Sequence, residues 1–141
     1  MSTVRLTRVV AFNAAHRYHR PEWSAERNRE VFGACANEHG HGHRYECAVT
    51  VAGTPDPETS MVLDLRAFDR VLQQEISDRL DHQHLNHAVP EFAFGKEVPT
   101  VEALAVHIWN RIAPHLPAGV RLEHVRVHEV PHLYADYYGD E

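Results

Sequence analysis

Residues 35–51, CANEHGHGHRYECAVTV, place a cysteine and three closely spaced histidines directly before an alternating apolar segment. The alternation predicts a β-strand, and residues two apart on a strand point to the same side. His41 and His43 therefore share one face with Tyr45. Glycine weakens a strand and histidine is costly to bury unpaired, so a strand that begins this way indicates a functional site.

The whole chain has 141 residues, ordinary globular composition and a formal net charge of −6. Its length predicts one domain spanning residues 1–141, and its charge argues against a global nucleic-acid surface. The N-terminus lacks the apolar run of a signal peptide, and no segment is long enough to span a membrane. Cys35 and Cys47 are too few for a disulfide framework, so we expect reduced thiols in a cytoplasmic protein.

The periodicity of apolar residues predicts an α+β domain. Spacings of three and four predict helices at residues 24–32, 65–80 and 100–112. Alternation predicts strands at residues 3–12, 44–53, 61–65, 121–130 and 133–139. The short segment MVLDL (61–65) is expected to form a hairpin with the strand before it. The order ββ, helix, helix, ββ predicts a four-stranded antiparallel sheet with two helices on one face.

The histidines predict a metal site. The segment FNAAH (12–16) continues the first strand to His16, and antiparallel pairing of the first two strands brings His16 close to His41 and His43. Three neutral imidazoles with an open fourth position are typical of catalytic zinc. His39 is a rival ligand on the same side of the chain, and an H-x-H pair alone is also compatible with a polar strand end.

Three further residues carry proton-transfer chemistry. Cys35 lies in a loop near the histidines, where a cation would lower the pKa of its thiol, although most free cysteines are simply buried apolar residues. Asp81 and His82 are adjacent, and a histidine held by a carboxylate can act as an acid or a base. The same pair is also compatible with a helix end next to a surface histidine.

Five segments in their order along the chain resemble the 6-pyruvoyltetrahydropterin synthase family: FNAAHRY, FGACANEHGHGHRY, LDHQHLN, VPTVEALAVHIW and VRVHEV. The resemblance covers about residues 4–139. It implies the tunnelling fold, in which the sheets of several subunits join into a barrel. It also implies a homohexamer of two stacked trimers.

The resemblance further implies a role for each site residue. The zinc ligands are His16, His41 and His43, and the catalytic group is Cys35, Asp81 and His82. The pterin-binding residues are Glu129, Thr100 and Glu102. Thr100 and Glu102 are also the natural cap and first-turn acid of a helix, so both roles can hold at once.

The implied reaction converts 7,8-dihydroneopterin triphosphate to 6-pyruvoyltetrahydropterin with loss of triphosphate. The alternative within the family is 6-carboxytetrahydropterin synthase of the queuosine pathway, which acts on the same substrate. The long segment before Cys35 favours the pyruvoyl branch. A zinc- and pterin-binding module without turnover and a zinc hydrolase are less favoured alternatives, the first because Cys35, Asp81 and His82 are all present.

Overall fold

The computed structural model describes residues 2–140 and contains one five-stranded mixed sheet in the order β3-β1-β2-β4-β5. Its strands are β1 Val4–His16, β2 His41–Gly53, β3 Gln83–His84, β4 Arg121–Val130 and β5 Leu133–Tyr137. All neighbouring strands are antiparallel except β1 and β3, which run parallel. The fold class is therefore α+β, as predicted.

The structure has helices in all three segments where they were predicted, together with a short helix at Leu85–Ala88 that was not predicted. The helices are α1 Ala25–Phe32, α2 Leu65–Leu72, α3 Asp78–Leu80, α4 Leu85–Ala88 and α5 Val101–Ile112. Ser24 and Thr100 cap α1 and α5, because each side-chain oxygen accepts a hydrogen bond from a backbone N–H in the first turn. None of these helices is both long and apolar enough to cross a membrane.

A π turn, Gln73–Ser77, joins α2 to α3. Buried residues recur at every fourth position from Phe68 through Leu72 and Ile76 to Leu80. On an ideal α-helix, side chains with this spacing would rotate about 120° around the helix axis over twelve residues. The extra residue of a π turn reduces this rotation to about 20° and keeps all four side chains on the core face.

The predicted strand at residues 61–65 is wrong. Asp64 instead accepts hydrogen bonds from the backbone N–H groups of Arg66 and Ala67, which makes it the N-cap of α2. Leu63 is buried in the core without strand pairing. The sheet gains the unpredicted strand β3, which pairs in parallel with β1, so it has five strands rather than four and is mixed rather than wholly antiparallel.

The pairing of β1 with β2 positions the site. The two strands pair from Val4 opposite Gly53 to His16 opposite His41. Alternate residues of β1, among them Phe12 and His16, face the core beneath the helices. The end of β1 therefore meets the start of β2 on the core side, as the sequence predicted.

Candidate metal centre and catalytic site

The candidate metal centre is a cluster of side chains at the paired ends of β1 and β2. One ligand atom from each of His16, Cys35, His41 and Glu129 lies within 4.8 Å of all the others. His43 lies beside this group, with its Nε2 atom 2.7 Å from Glu129 Oε1. The three predicted histidines are thus brought together, and Cys35 and Glu129 join them.

His16 is the most buried member of the cluster, with no exposed surface. Its Nδ1 atom lies 2.6 Å from the hydroxyl oxygen of Tyr45, which is buried and stacked on Phe12. Burial, helped by the neighbouring histidines, lowers the pKa of His16 to about 3. The ring is therefore neutral near pH 7, which is the form that binds metals.

Two ring nitrogens in the cluster have no hydrogen-bond partner. His16 Nε2 and His43 Nε2 are both buried and unpartnered within residues 2–140. The 2.7 Å separation between His43 and Glu129 is short, but it lacks the alignment of a hydrogen bond. Buried polar atoms are nearly always satisfied, so converging orphan nitrogens indicate a position for a ligand.

The ring positions fit a common ion. Two imidazoles bound at about 2.0–2.1 Å, with angles of about 90–110° at the metal, hold their ring centroids roughly 4.5–5.2 Å apart. In the cluster, His16 lies 5.0 Å from both His41 and His43, and those two rings are 4.7 Å apart. The residues present therefore fit a metal held by imidazoles.

Gly40 allows the strands to meet this closely. Its φ of 72° lies in the left-handed region, and a Cβ atom there would collide with the carbonyl oxygen of His16. Only glycine fits this position without a shift of the backbone. The rival ligand His39 is exposed in the turn before β2 and does not belong to the described cluster.

Cys35 reaches the cluster from a 3₁₀ turn, Gly33–Ala36, that follows α1. Its carbonyl oxygen accepts a hydrogen bond from the Tyr18 backbone N–H, and its Sγ atom lies 3.6 Å from His41 Nε2. Burial and the Glu129 carboxylate raise the pKa of the Cys35 thiol. This direction is opposite to the depression expected beside a cation. Cys47 lies in the middle of β2 and is fully buried, and burial raises its pKa to about 12.

Glu129 faces inward from β4. It alternates with the buried residues Val125 and Val127 and is 8% exposed. Its carboxylate lies 2.7 Å from His43 and 3.9 Å from His16. The side chain therefore points inward, and its carboxylate enters the metal cluster itself.

Asp81 and His82 form a separate unit at the edge of the sheet. Asp81 accepts a hydrogen bond from the Asn13 backbone N–H, which is the largest cause of its lowered pKa, and it lies 3.0 Å from His82 Nδ1. The His82 N–H donates to the Asn13 carbonyl, and its φ is 59°. The His82 side chain is 79% exposed.

A groove of about 550 Å³ has both His43 and His82 in its lining. Among the described residues, however, the hydrogen-bond partner of Cys35 is His41, and that of the His82 side chain is Asp81. One chain therefore does not bring the Asp81–His82 pair into hydrogen-bonding contact with Cys35.

Two tyrosines near the cluster were not predicted as site residues. Tyr45 holds His16, and Tyr18 packs its ring 4.5 Å from that of His16. Burial, followed by the charges of Glu129, Cys35 and Glu102, raises the pKa of Tyr18 strongly. Tyr45 shares the parity of His41 and His43, so alternation could have identified it. No sequence signal identified Tyr18.

Thr100 and Glu102 begin α5. Thr100 is its N-cap, with Oγ1 accepting a hydrogen bond from the Ala103 N–H, and Glu102 is exposed in the first turn. The charge of Glu102 contributes to the raised pKa of Tyr18, after burial and the charges of Glu129 and Cys35. The cap role of Thr100 is confirmed, and contact of either residue with a pterin stays a prediction.

Comparison with known proteins identifies the family. The family model described as 6-pyruvoyl tetrahydropterin synthase matches residues 5–140. A 6-pyruvoyl tetrahydrobiopterin synthase of Poecilia reticulata is 43% identical, over 96% of this chain and 90% of the relative. The structure of Caenorhabditis elegans 6-pyruvoyl tetrahydropterin synthase has a TM-score of 0.90 at 33% identity, covering 99% of this chain and 98% of the other.

A more distant relative, a 6-carboxy-5,6,7,8-tetrahydropterin synthase of Rickettsia felis, is 24% identical over 94% of this chain and 99% of its own length.

The chain belongs to the 6-pyruvoyl tetrahydropterin synthase family. It is an enzyme of that type, a carbon–oxygen lyase, and the resemblance predicted from its motifs is confirmed.

Proposed function

We propose that the protein uses a zinc ion to convert 7,8-dihydroneopterin triphosphate to 6-pyruvoyltetrahydropterin, with elimination of triphosphate. The observation that carries this proposal is the convergence of imidazole, thiol and carboxylate groups within 4.8 Å at one buried strand end. His16, His41 and His43 hold the zinc. A zinc ion bound there acts as a Lewis acid that lowers the pKa of substrate hydroxyl groups.

Glu129 binds the pterin ring. Its carboxylate is nearly buried and can accept two hydrogen bonds from the ring N–H and amino group. Thr100 and Glu102, at the start of α5, are proposed to contact the ring as well. A carboxylate also repels triphosphate, so Glu129 orients the ring inward and the phosphates outward.

Cys35 acts as the base that removes a proton from the substrate side chain. Its sulfur lies 3.6 Å from His41 Nε2, and a cation held by that imidazole would lower the pKa of the thiol. Its pKa is raised by burial and by Glu129, so the thiolate forms only when positive charge compensates these two effects. His82, held by Asp81, supplies a different proton to the opposite face of the substrate, while Cys35 keeps the proton that it removed. The electrons rearrange within the pterin and its side chain, so no nicotinamide or flavin is required.

We further propose that the enzyme is a homohexamer in which the Asp81–His82 pair of one subunit serves the Cys35 of another. The exposure of His82 and the lack of contact with Cys35 within one chain support this arrangement. The edge strand β5 also exposes Leu133 and Tyr134, as expected for an edge that pairs with another copy.

The reaction is tested by incubating the metal-loaded protein with 7,8-dihydroneopterin triphosphate and identifying the products by mass spectrometry. We expect 6-pyruvoyltetrahydropterin and inorganic triphosphate. 6-Carboxytetrahydropterin with acetaldehyde would assign the enzyme to the carboxy branch. No turnover by a metal-loaded, folded protein would leave only a binding module.

The shared site is tested by complementation. Cys35→Ala and His82→Ala subunits are each expected to be inactive alone. Co-expression is expected to restore part of the activity, because some sites then combine an intact Cys35 with an intact His82 from another subunit. No restoration in mixed oligomers, verified by mass, would place both groups in the same chain.

The ligand set is tested with His41→Ala and His16→Ala. Each variant is expected to lose bound zinc and keep its fold, because an open catalytic site need not hold the core together. His39→Ala is the matched control, since His39 is exposed outside the cluster. Loss of zinc from His39→Ala together with retention by His16→Ala would show that the ligand set is wrong.

A further inference from the structure

His84 and His87 form a second pair of imidazoles that the proposed function does not use. His84 immediately precedes α4 and His87 lies within it. Their ring centroids are 4.4 Å apart and the ring planes are tilted by 58°. Phe94 borders the pair, with its ring centroid 6.0 Å from that of His87.

The ring separation is close to that of a metal-binding pair. Two imidazoles on one ion hold their centroids roughly 4.5–5.2 Å apart, and the neighbouring cluster shows 4.7–5.0 Å. The value of 4.4 Å for His84 and His87 lies just below this range. Because His87 is exposed, a small rotation of its ring can open the pair to the required distance.

The chemistry of His84 also suits a metal. Its Nδ1 atom is buried and has no hydrogen-bond partner among the described residues. Burial, followed by the proximity of His87, lowers the pKa of His84, so the ring is neutral near pH 7 and keeps a free lone pair. A buried nitrogen without a protein partner is costly, and coordination of an ion removes that cost.

We propose that His84 and His87 bind a second divalent transition-metal ion, of the class that prefers imidazole ligands, such as Zn²⁺ or Ni²⁺. Water completes the coordination, because the pair supplies two protein ligands. The second site is therefore weaker than the cluster at His16, His41 and His43. This assignment does not depend on the proposed reaction.

The test is a titration of metal-free protein with Zn²⁺ alone, and in parallel with Ni²⁺ alone, by isothermal titration calorimetry. Wild type is expected to bind two equivalents per chain, the second more weakly than the first. His87→Gln and His84→Gln are expected to keep the first equivalent and lose the second. His132→Gln, which removes an exposed histidine from the turn between β4 and β5, is the matched control and is expected to keep both.

Circular dichroism of the metal-free variants monitors the fold. Because His87 is exposed, His87→Gln remains informative even if His84→Gln fails to fold. His41→Ala is expected to lose the first equivalent and keep the second. Three results would each overturn the proposal: binding of only one metal equivalent by the wild type, survival of the second equivalent in His87→Gln, or loss of both equivalents in His41→Ala.

Discussion

Replacing Tyr45 by phenylalanine should weaken metal binding while leaving the fold intact. Tyr45 is 1% exposed, and its ring stacks on Phe12 at a centroid distance of 5.0 Å. Tyr45→Phe keeps this ring and removes only the hydroxyl oxygen, which lies 2.6 Å from His16 Nδ1. When His16 binds a metal through Nε2, its Nδ1 atom carries a proton, and this N–H group donates a hydrogen bond to the Tyr45 hydroxyl oxygen. The substitution therefore leaves a buried N–H donor unpaired.

The expected loss of zinc affinity follows from the cost of that unpaired donor. A buried donor without a partner costs about 1–3 kcal/mol, and removing the outer-shell partner of a ligating histidine typically weakens metal affinity by about 10–100-fold. The two values agree, because tenfold in affinity corresponds to about 1.4 kcal/mol. We therefore expect the zinc dissociation constant to rise by about 10–100-fold.

The assay is competition for zinc between the metal-free protein and a chromogenic chelator at a fixed pH. Tyr134→Phe is the matched control, since it removes the same hydroxyl from an exposed position on β5 and should leave affinity unchanged. Circular dichroism should show that both variants are folded. A folded Tyr45→Phe protein with wild-type zinc affinity would refute the role of this hydrogen bond.

Three further outcomes are expected. Alkylation of the native protein followed by mass spectrometry should label Cys35 before Cys47, because Cys47 is fully buried; preferential labelling of Cys47 would contradict this. Glu129→Gln should weaken binding of a bare pterin by about tenfold or more, since a hydrogen bond to a charge is worth about 1.5–3 kcal/mol. The zinc content should be unchanged. Equal pterin affinity in the two proteins would mean that the ring is anchored elsewhere. Burial lowers the pKa of His107 below 6.5 in the folded protein. Because the unfolded chain therefore binds this proton more readily than the folded chain does, the free energy of unfolding should fall as the pH drops through 6.5. Denaturant titrations should show that the free energy of unfolding falls less between pH 7.5 and pH 5.5 for His107→Gln than for the wild type. An equal fall in both proteins would exclude a contribution of His107 to the pH dependence.

The sequence predicted the elements whose cause is local. Alternation placed His16 and His41 on the core side of paired strands, and the register His16 opposite His41 confirms it. The α5 helix was predicted to within a residue because Thr100 caps it and its apolar face repeats regularly. In each case the pattern that decides the element lies within one short stretch of the chain.

Features decided by tertiary contacts were missed. Strand β3 has two residues, Gln83–His84, and forms because Asp81 and His82 bond to the backbone of Asn13. The apolar run at 61–65 resembles a strand, yet Asp64 caps a helix there. The raised pKa of Cys35 depends on burial and on Glu129 from a distant strand, which spacing cannot reveal.

The position of Glu129 couples the two binding events. A nearly buried carboxylate needs a partner, and in the free chain the nearest group is His43, whose Nε2 atom lies 2.7 Å from Glu129 Oε1 without the alignment of a hydrogen bond. A pterin ring must replace this contact to bind. When His43 is engaged by a metal, its contact with Glu129 no longer competes with the ring, so metal and pterin should bind with positive cooperativity, which is reciprocal. Titration of metal-loaded and metal-free protein with a bare pterin should give tighter binding to the loaded form. If the two affinities were equal, the contact between Glu129 and His43 would play no part in substrate binding.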